Sequence, residues 1–443
     1  MEARMALTDI DLLDRDRFVR LAHHDMLREL RNTGNGIHWH DEVWPDGTTG
    51  PGFWVITRHA HVKEISHHPE IFSSNKGGTQ LMDARADDME ALVRRDSIML
   101  DMDPPKHTRY RKLVNRGFTP RMIALLDDYL ENRTAIILDE ICEKGTADVV
   151  TDIAGELPLQ AIAEMMGIPL EDRKKIFDWT NKMIGSEDEE FASGPEDVQQ
   201  AFAELYTYSH ALQEARRAAP GEDIVTTLLN AEIDGDKLSE WEFDMFFLLL
   251  CVAGNETTRN SITHGLHAFM QHPDQWALFV SDPDRYMSSA VEEIVRWASP
   301  VLHFRRTLTQ DYTLDGVEMR EGQKVVMWYV SANRDEQVFD DPYRFDITRS
   351  PNDHVGFGGG GPHFCLGANL ARMEIRLMFK ALAERLPDIR ATGEPAYLRS
   401  NFIGGVKRLP VEFTPTPSTH TKPMERLGAA AGHERHQGGY GSR

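Results

Sequence analysis

Among the side chains that could carry chemistry, Cys365 stands in the most unusual surroundings. It lies within Gly356-Phe-Gly-Gly-Gly-Gly-Pro-His-Phe-Cys-Leu-Gly367. Glycine is costly to order, so four in a row point to a backbone that must bend sharply or approach something closely. Directly afterwards, Ala368 to Arg385 has a helical pattern, with Ala371, Ile375, Phe379 and Leu382 on one face. A thiolate ahead of a helix N-terminus is favoured by the exposed N–H groups and the dipole. His363, two residues earlier, adds a polar donor. The plain alternative is a buried structural cysteine beside a flexible loop. Zinc is disfavoured, because no second Cys or His lies at ligand spacing.

Three further groups of residues invite a chemical reading. A long apolar helix is expected around residue 250, with Phe247, Leu250, Gly254, Thr257 and Ser261 on one stripe. There, Ala253-Gly-Asn-Glu-Thr-Thr258 interrupts the bulky lining with small residues, then an acid, Glu256, and hydroxyls. Glycine inside a helix costs about 1 kcal/mol relative to alanine, so Gly254 implies a need for space; a kink or a helix crossing would also explain it. His107 and Arg111 lie four apart on an expected helix, and Arg305 stands near the start of an expected strand. Each alone reads as a solvated cation. Glu293 and Arg296 lie three apart on one helical face, a pair worth only about 0.2–0.5 kcal/mol when exposed.

The elements that must position these residues are mostly helical. Apolar residues recur at three- and four-residue spacing over 121–144, 157–166, 171–185, 197–217, 239–270, 285–298 and 367–386. Strand-like runs are few: 53–57, 324–329 and 406–413. Helix-rich with small sheets and no βαβ alternation implies a mostly α fold with small β-sheets (α+β). No linker divides the 443 residues, so one domain is expected over 1–413, with 414–443, rich in Pro, Thr, Gly and His, as a disordered tail. The formal net charge of −22, from 49 basic and 71 acidic side chains, argues against nucleic acid as a partner. Three cysteines make no disulfide framework and fit a reducing cytoplasm. The N-terminus lacks a signal-peptide layout. The longest apolar stretch, 245–254, is about half of the ~20 residues a membrane span needs.

The Cys365 loop resembles the cysteine-ligand loop of the cytochromes P450, with one departure. The family's aromatic stands seven residues before the cysteine, where this chain has Gly358; Phe357 lies eight before. Other family landmarks follow in order: Glu293-Ile-Val-Arg296, then Asp341-Pro-Tyr-Arg-Phe345, whose Arg344 matches a third member of a buried charge network.

The resemblance implies the single-domain P450 fold, with a long central helix over a haem b whose iron is ligated by the Cys365 thiolate. Such ligation pushes electron density onto iron and favours O–O cleavage. It further implies an oxygen groove at Gly254, a proton relay through Glu256 and Thr257, and propionate contacts from His107, Arg111, Arg305 and His363. Thr257 is expected to bond back to the Ala253 carbonyl. Cys251, Val301, Leu302, His303, Phe304 and Ile403 should surround an apolar cavity, with 73–100 and 168–205 as entrance and lid. The implied activity is monooxygenation of an apolar small molecule with O2, electrons coming from a ferredoxin and its reductase. Local sequences resemble actinobacterial terminal hydroxylases of sterol side chains and methyl-branched lipids. A terpenoid or polyketide hydroxylase is the alternative. A peroxide-driven enzyme would share the loop but not need the acid–alcohol pair, and a haem sensor or carrier would bind ligand without turnover.

Overall fold

The computed structural model describes residues 6–44, 46–83, 97–118, 120–232, 235 and 237–424. Three helices precede residue 70: α1 (Arg15–Val19), α2 (His23–Asn32) and α3 (His59–His67). Then come α4 (Lys106–Val114), α5 (Pro120–Ile141), α6 (Glu156–Met165), α7 (Arg173–Ile184), α8 (Pro195–Ala218) and α9 (Ile224–Leu229). The second half holds α10 (Glu240–Gln271), α11 (Pro273–Ser281), α12 (Pro283–Ala298), α13 (Tyr329–Ala332) and α14 (Ala368–Arg385). The seven helices expected from periodicity are α5 to α8, α10, α12 and α14, each shifted by no more than a few residues at its ends.

The main sheet has five strands: β1 (Ile37–His40), β2 (Phe53–Ile56), β3 (Phe72–Ser73), β5 (His303–Leu308) and β8 (Lys324–Trp328), in the order β1-β2-β8-β5-β3. Small sheets pair β6 (Tyr312–Leu314) with β7 (Val317–Met319) and β10 (Ala396–Tyr397) with β11 (Val406–Arg408). A third joins β4 (Thr146–Asp148), β12 (Pro410–Glu412) and β9 (Arg390–Ala391).

The central element is α10. It starts at a capping box, in which the Ser239 hydroxyl accepts from the Glu242 N–H and the Glu242 carboxylate from the Ser239 N–H. Phe243, Phe246, Phe247 and Phe269 bury its length against α6, α8, α12 and α14. A helix apolar on nearly every side belongs in the middle of a core.

Behind the Cys365 loop, Arg296 on α12 is fully buried and forks onto the Glu293 carboxylate at 2.7 and 2.8 Å. The same guanidinium donates to the carbonyls of Asn333 (2.8 Å), Pro342 (2.9 Å) and Arg344 (3.2 Å). One expectation is corrected here. Arg344 is exposed and contributes only its carbonyl; the third side chain is Arg349, whose Nε donates to Glu293 at 3.1 Å. The chain turns at Asp341, with φ of 44°, so that the carbonyls of the turn face Arg296 and the Arg344 side chain faces solvent.

The segment after 413 is docked rather than free as far as residue 424. Thr416 N–H donates to the Cys142 carbonyl at 2.9 Å, Thr419 and Thr421 bond Asp139, and Asn132 bonds the Lys422 carbonyl. The remainder of the expected tail, 425–443, lies outside the described residues, as does 84–96 of the expected entrance.

Candidate active site

The glycine loop is shaped by the end of α3. Gly358, Gly360 and Gly361 have φ of 98°, 95° and 69°, which L side chains rarely adopt. A Cβ at Gly361 would sit 2.0 Å from the Ser66 carbonyl oxygen, and one at Gly359 2.8 Å from that of Val62. The loop closes where Cys365 N–H donates to the Phe357 carbonyl at 3.0 Å. Cys365 thereby becomes the one exposed cysteine, its exposure opening into a cavity of about 250 Å³. Phe357 lines the same cavity despite the extra residue, with the Arg372 guanidinium 4.4 Å over its ring. Burial pushes the Cys365 thiol up, against the pull of the Gly367 N–H and the guanidiniums of Arg111 and Arg372.

The opposite wall is α10, through Ala253, Gly254, Thr257 and Ser261. Thr257 Oγ1 donates to the Ala253 carbonyl at 2.7 Å. The space that Gly254 provides is taken partly by a neighbouring helix, since a Cβ there would meet Ile162 Cδ1 at 2.6 Å. Glu256 does not share the cavity face, because one residue turns a helix by about 100°. It is buried behind the groove, paired with Arg259, which in turn donates to Asn181 Oδ1 at 3.0 Å. Burial pushes the Glu256 carboxyl up, with Arg259 opposing, and its Oε1 has no partner.

Four cationic or imidazole side chains meet at one side: His107 and Arg111 from α4, His363 from the glycine loop, and Arg306 from β5. The His107 and His363 rings are 4.2 Å apart, and His363 Nε2 lies 3.1 Å from Ser74 Oγ. Burial, with Arg111 nearby, pushes His107 down to about 4; burial and Arg306 push His363 down to about 2. Here Arg306 replaces the expected Arg305. Strand side chains alternate faces, so Phe304 and Arg306 face the cavity. Arg305 points the other way, ion-paired to Asp83 at 2.5 Å and bonded to Thr307 Oγ1. The signal was available: Phe304 was expected over the cavity, and its same-face neighbour is two residues on.

Of the expected apolar lining, Val301 and Phe304 face this cavity, together with Phe246, Leu249 and Leu250. Cys251 is buried against Met166, and His303 is packed on Trp328, 4.6 Å between rings. Leu302 and Ile403 face a different cavity.

A family model described as cytochrome P450 matches residues 285–386. The steroid C26-monooxygenase of Mycolicibacterium smegmatis is 47% identical over 412 residues, covering 92% of this chain and 94% of the relative. The methyl-branched lipid omega-hydroxylase of Mycobacterium tuberculosis is 46% identical over 388 residues, covering 87% and 90%. The chain belongs to the cytochrome P450 family. Among solved structures, the Mycobacterium marinum cytochrome P450 in complex with pseudoionone superposes with a TM-score of 0.85 at 39% identity, covering 93% of this chain and 100% of that one.

This cytochrome P450 is therefore a monooxygenase of a haem-thiolate family, and its cavity fits that group on its own chemistry. Among the described residues neither Arg111 nor Arg306 has a carboxylate partner. Two half-buried or buried guanidiniums left this way call for anions from a ligand, as the two haem propionates would supply. Cys365 stands on one broad wall and the small residues of α10 on the other, with apolar side chains between. No helix among the described residues is long and apolar enough to cross a membrane.

Proposed function

We propose that this P450 binds haem b through the Cys365 thiolate and hydroxylates the terminal carbon of a sterol side chain or a methyl-branched lipid. The observation that carries it is the joining of the Cys365 cavity, apolar above α10, to 46–49% identity with relatives named for those two activities. When bound, the haem supplies activation of O2 and delivery of one oxygen atom into a C–H bond, the other leaving as water.

The chain's own residues then have distinct tasks. Cys365 presents its sulfur from the loop before α14, where the Gly367 N–H donates to it. His107, Arg111, Arg306 and His363 would hold the propionates, and the small Ala253 and Gly254 belong to the facing wall. Thr257 offers its hydroxyl to the groove from its bond to Ala253. Glu256 acts from behind α10: a buried carboxyl with a raised pKa and one unpartnered oxygen can take a proton from outside and pass it towards Thr257 through ordered water. Arg305 has no task here; its charge serves Asp83.

Electrons are proposed to come from a ferredoxin and its reductase in the cytoplasm. Lys106, Lys112 and Arg116 are exposed along and after α4, the helix that carries Arg111 to the cavity. Together they form a local positive patch for an acidic partner. Reduction should then slow as salt rises and on charge reversal at Lys112.

Terminal attack requires the pocket to keep inner, weaker C–H bonds away from the reacting position. Val301 and Phe304 are the side chains assigned to that constraint. The test is product analysis with a sterol and a methyl-branched fatty acid, comparing wild type with Val301→Ala. Terminal alcohol from wild type and more in-chain alcohol from the variant is the expected result. Failure of both substrates to bind, alongside turnover of a compact terpenoid, would overturn the substrate assignment.

A further inference from the structure

A second cavity, of about 260 Å³, lies behind the turn that carries Ile403 and shares no lining residue with the Cys365 cavity. His23 and His24 of α2, His264 and His267 of α10, and Arg334 all line it. His23 is 4% exposed and its Nδ1 has no partner. Its ring stacks on Phe18 at 4.8 Å and lies 4.2 Å from that of His24. His264 Nε2 is 2.8 Å from the Gly404 carbonyl.

Arg334 is buried and bonds two carbonyls, of Trp297 at 2.9 Å and Val330 at 3.4 Å, but among the described residues it has no carboxylate partner. The one acid in the wall, Asp25, is paired with Arg28. Burial, then the charges of Arg296 and Arg31, opposed by Tyr343 and Glu293, lower Arg334 to about 9, which leaves it cationic at neutral pH. All four histidines are pushed down by burial and stay neutral there; His264 gives its one N–H to the Gly404 carbonyl, while His23, His24 and His267 can each donate one. A buried cation with no carboxylate bonded to it is costly, and Glu293, the acid that acts on Arg334 from a distance, is already bonded by Arg296 and Arg349, so the cavity favours an anion over a cation. Among the described residues no three His, Cys, Asp or Glu converge as a metal site. Phe18, Trp297, Leu302 and Leu398 supply apolar wall, which suits an organic body attached to the anion.

We propose that this cavity binds a small organic carboxylate, its head on Arg334 and the histidines, and that its occupancy changes substrate binding in the Cys365 cavity. The connection is a short ladder between 300–304 and 402–404. Leu302 and Ile403 line the second cavity, while Val301 and Phe304 line the first. Val301 bridges Ile403, Leu302 N–H donates to the Phe402 carbonyl at 2.8 Å, and Gly404 N–H to that of Pro300 at 2.9 Å. The Phe304 and Phe402 rings are 5.6 Å apart. A ligand that fixes one side of this ladder fixes the other, and the effect is reciprocal between the two sites.

The test uses the haem-loaded enzyme and benzoate as probe. Calorimetry should show one benzoate per chain, no binding of neutral benzamide, and no displacement of benzoate by inorganic phosphate. Arg334→Gln should weaken benzoate at least about tenfold, the loss of a charge-assisted hydrogen bond. Because a buried arginine can be needed for folding, His267→Phe at a half-buried wall position is the second variant; it should block binding while leaving the reduced CO spectrum unchanged. Saturating benzoate should shift the apparent Kd of substrate, read from the haem spectrum, and substrate should shift that of benzoate by the same factor. Equal binding of benzamide, or benzoate binding unaltered in a folded variant, would overturn the site. Displacement by phosphate would overturn the carboxylate assignment, stoichiometric zinc binding the anion preference, and an unchanged substrate Kd the coupling.

Discussion

Replacing Glu293 with alanine removes the carboxylate on which two guanidiniums converge inside the protein. In the native fold it accepts from Arg296 Nε and an Arg296 terminal nitrogen at 2.7 and 2.8 Å, Arg349 Nε at 3.1 Å, Asn352 Nδ2 at 3.1 Å and the Asp346 N–H at 2.9 Å. Glu293 and Arg296 are both fully buried, so water cannot replace the lost partner. Breaking such a pair from one side costs about 3–5 kcal/mol, and an unsatisfied backbone N–H adds about 1 kcal/mol or more. Against a total stability of about 5–15 kcal/mol, the variant should populate unfolded chain and incorporate little haem. Glu293→Gln keeps the shape and an acceptor but not the charge, so it should fall between. Urea unfolding followed by circular dichroism gives the stability order, and haem per chain gives the functional consequence. Full haem incorporation by Glu293→Ala, with a midpoint matching wild type, would refute the reasoning; so would equal loss in the Gln and Ala variants, which would assign the cost to shape rather than charge.

Cys365→Ala should lose the far-red-shifted Soret band of the reduced CO complex, whereas Cys142→Ala and Cys251→Ala should retain it; a normal band without Cys365 would end the ligand assignment. Arg306→Ala should weaken haem retention, measured by transfer to apomyoglobin, while Arg305→Ala should leave haem retention intact; the opposite order would return the propionate role to Arg305. Thr257→Ala should still accept electrons but release more hydrogen peroxide per product, with product formation slowed by about 10²–10⁴-fold if the hydroxyl takes part in general acid–base transfer. Unchanged coupling in that variant would remove Thr257 from the proton path.

The parts legible in the sequence are those in which local spacing alone carries the physics. Periodicity marked α10, α12 and α14, because a buried helix repeats its apolar residues along its own length. Four glycines before Cys365 announced a tight loop: three of them take φ values that other residues rarely adopt, and Gly359 lies too close to the Val62 carbonyl for a side chain. Sites that depend on which way a neighbouring element faces were decided by tertiary structure. Adjacent arginines at 305 and 306 look alike in the chain, yet the pairing of β5 with β8 sends one to Asp83 and the other to the cavity. Glu256 and Thr257 are consecutive, but the packing of α10 buries the acid beside Arg259 and leaves only the hydroxyl facing the cavity. Arg349 rather than Arg344 completes the Glu293 network, because the turn at Asp341 decides which side chain faces inward. The second cavity joins α2 to α10 and Arg334. Residues so far apart in the chain share no local pattern, and only the folded chain brings His23 beside Arg334.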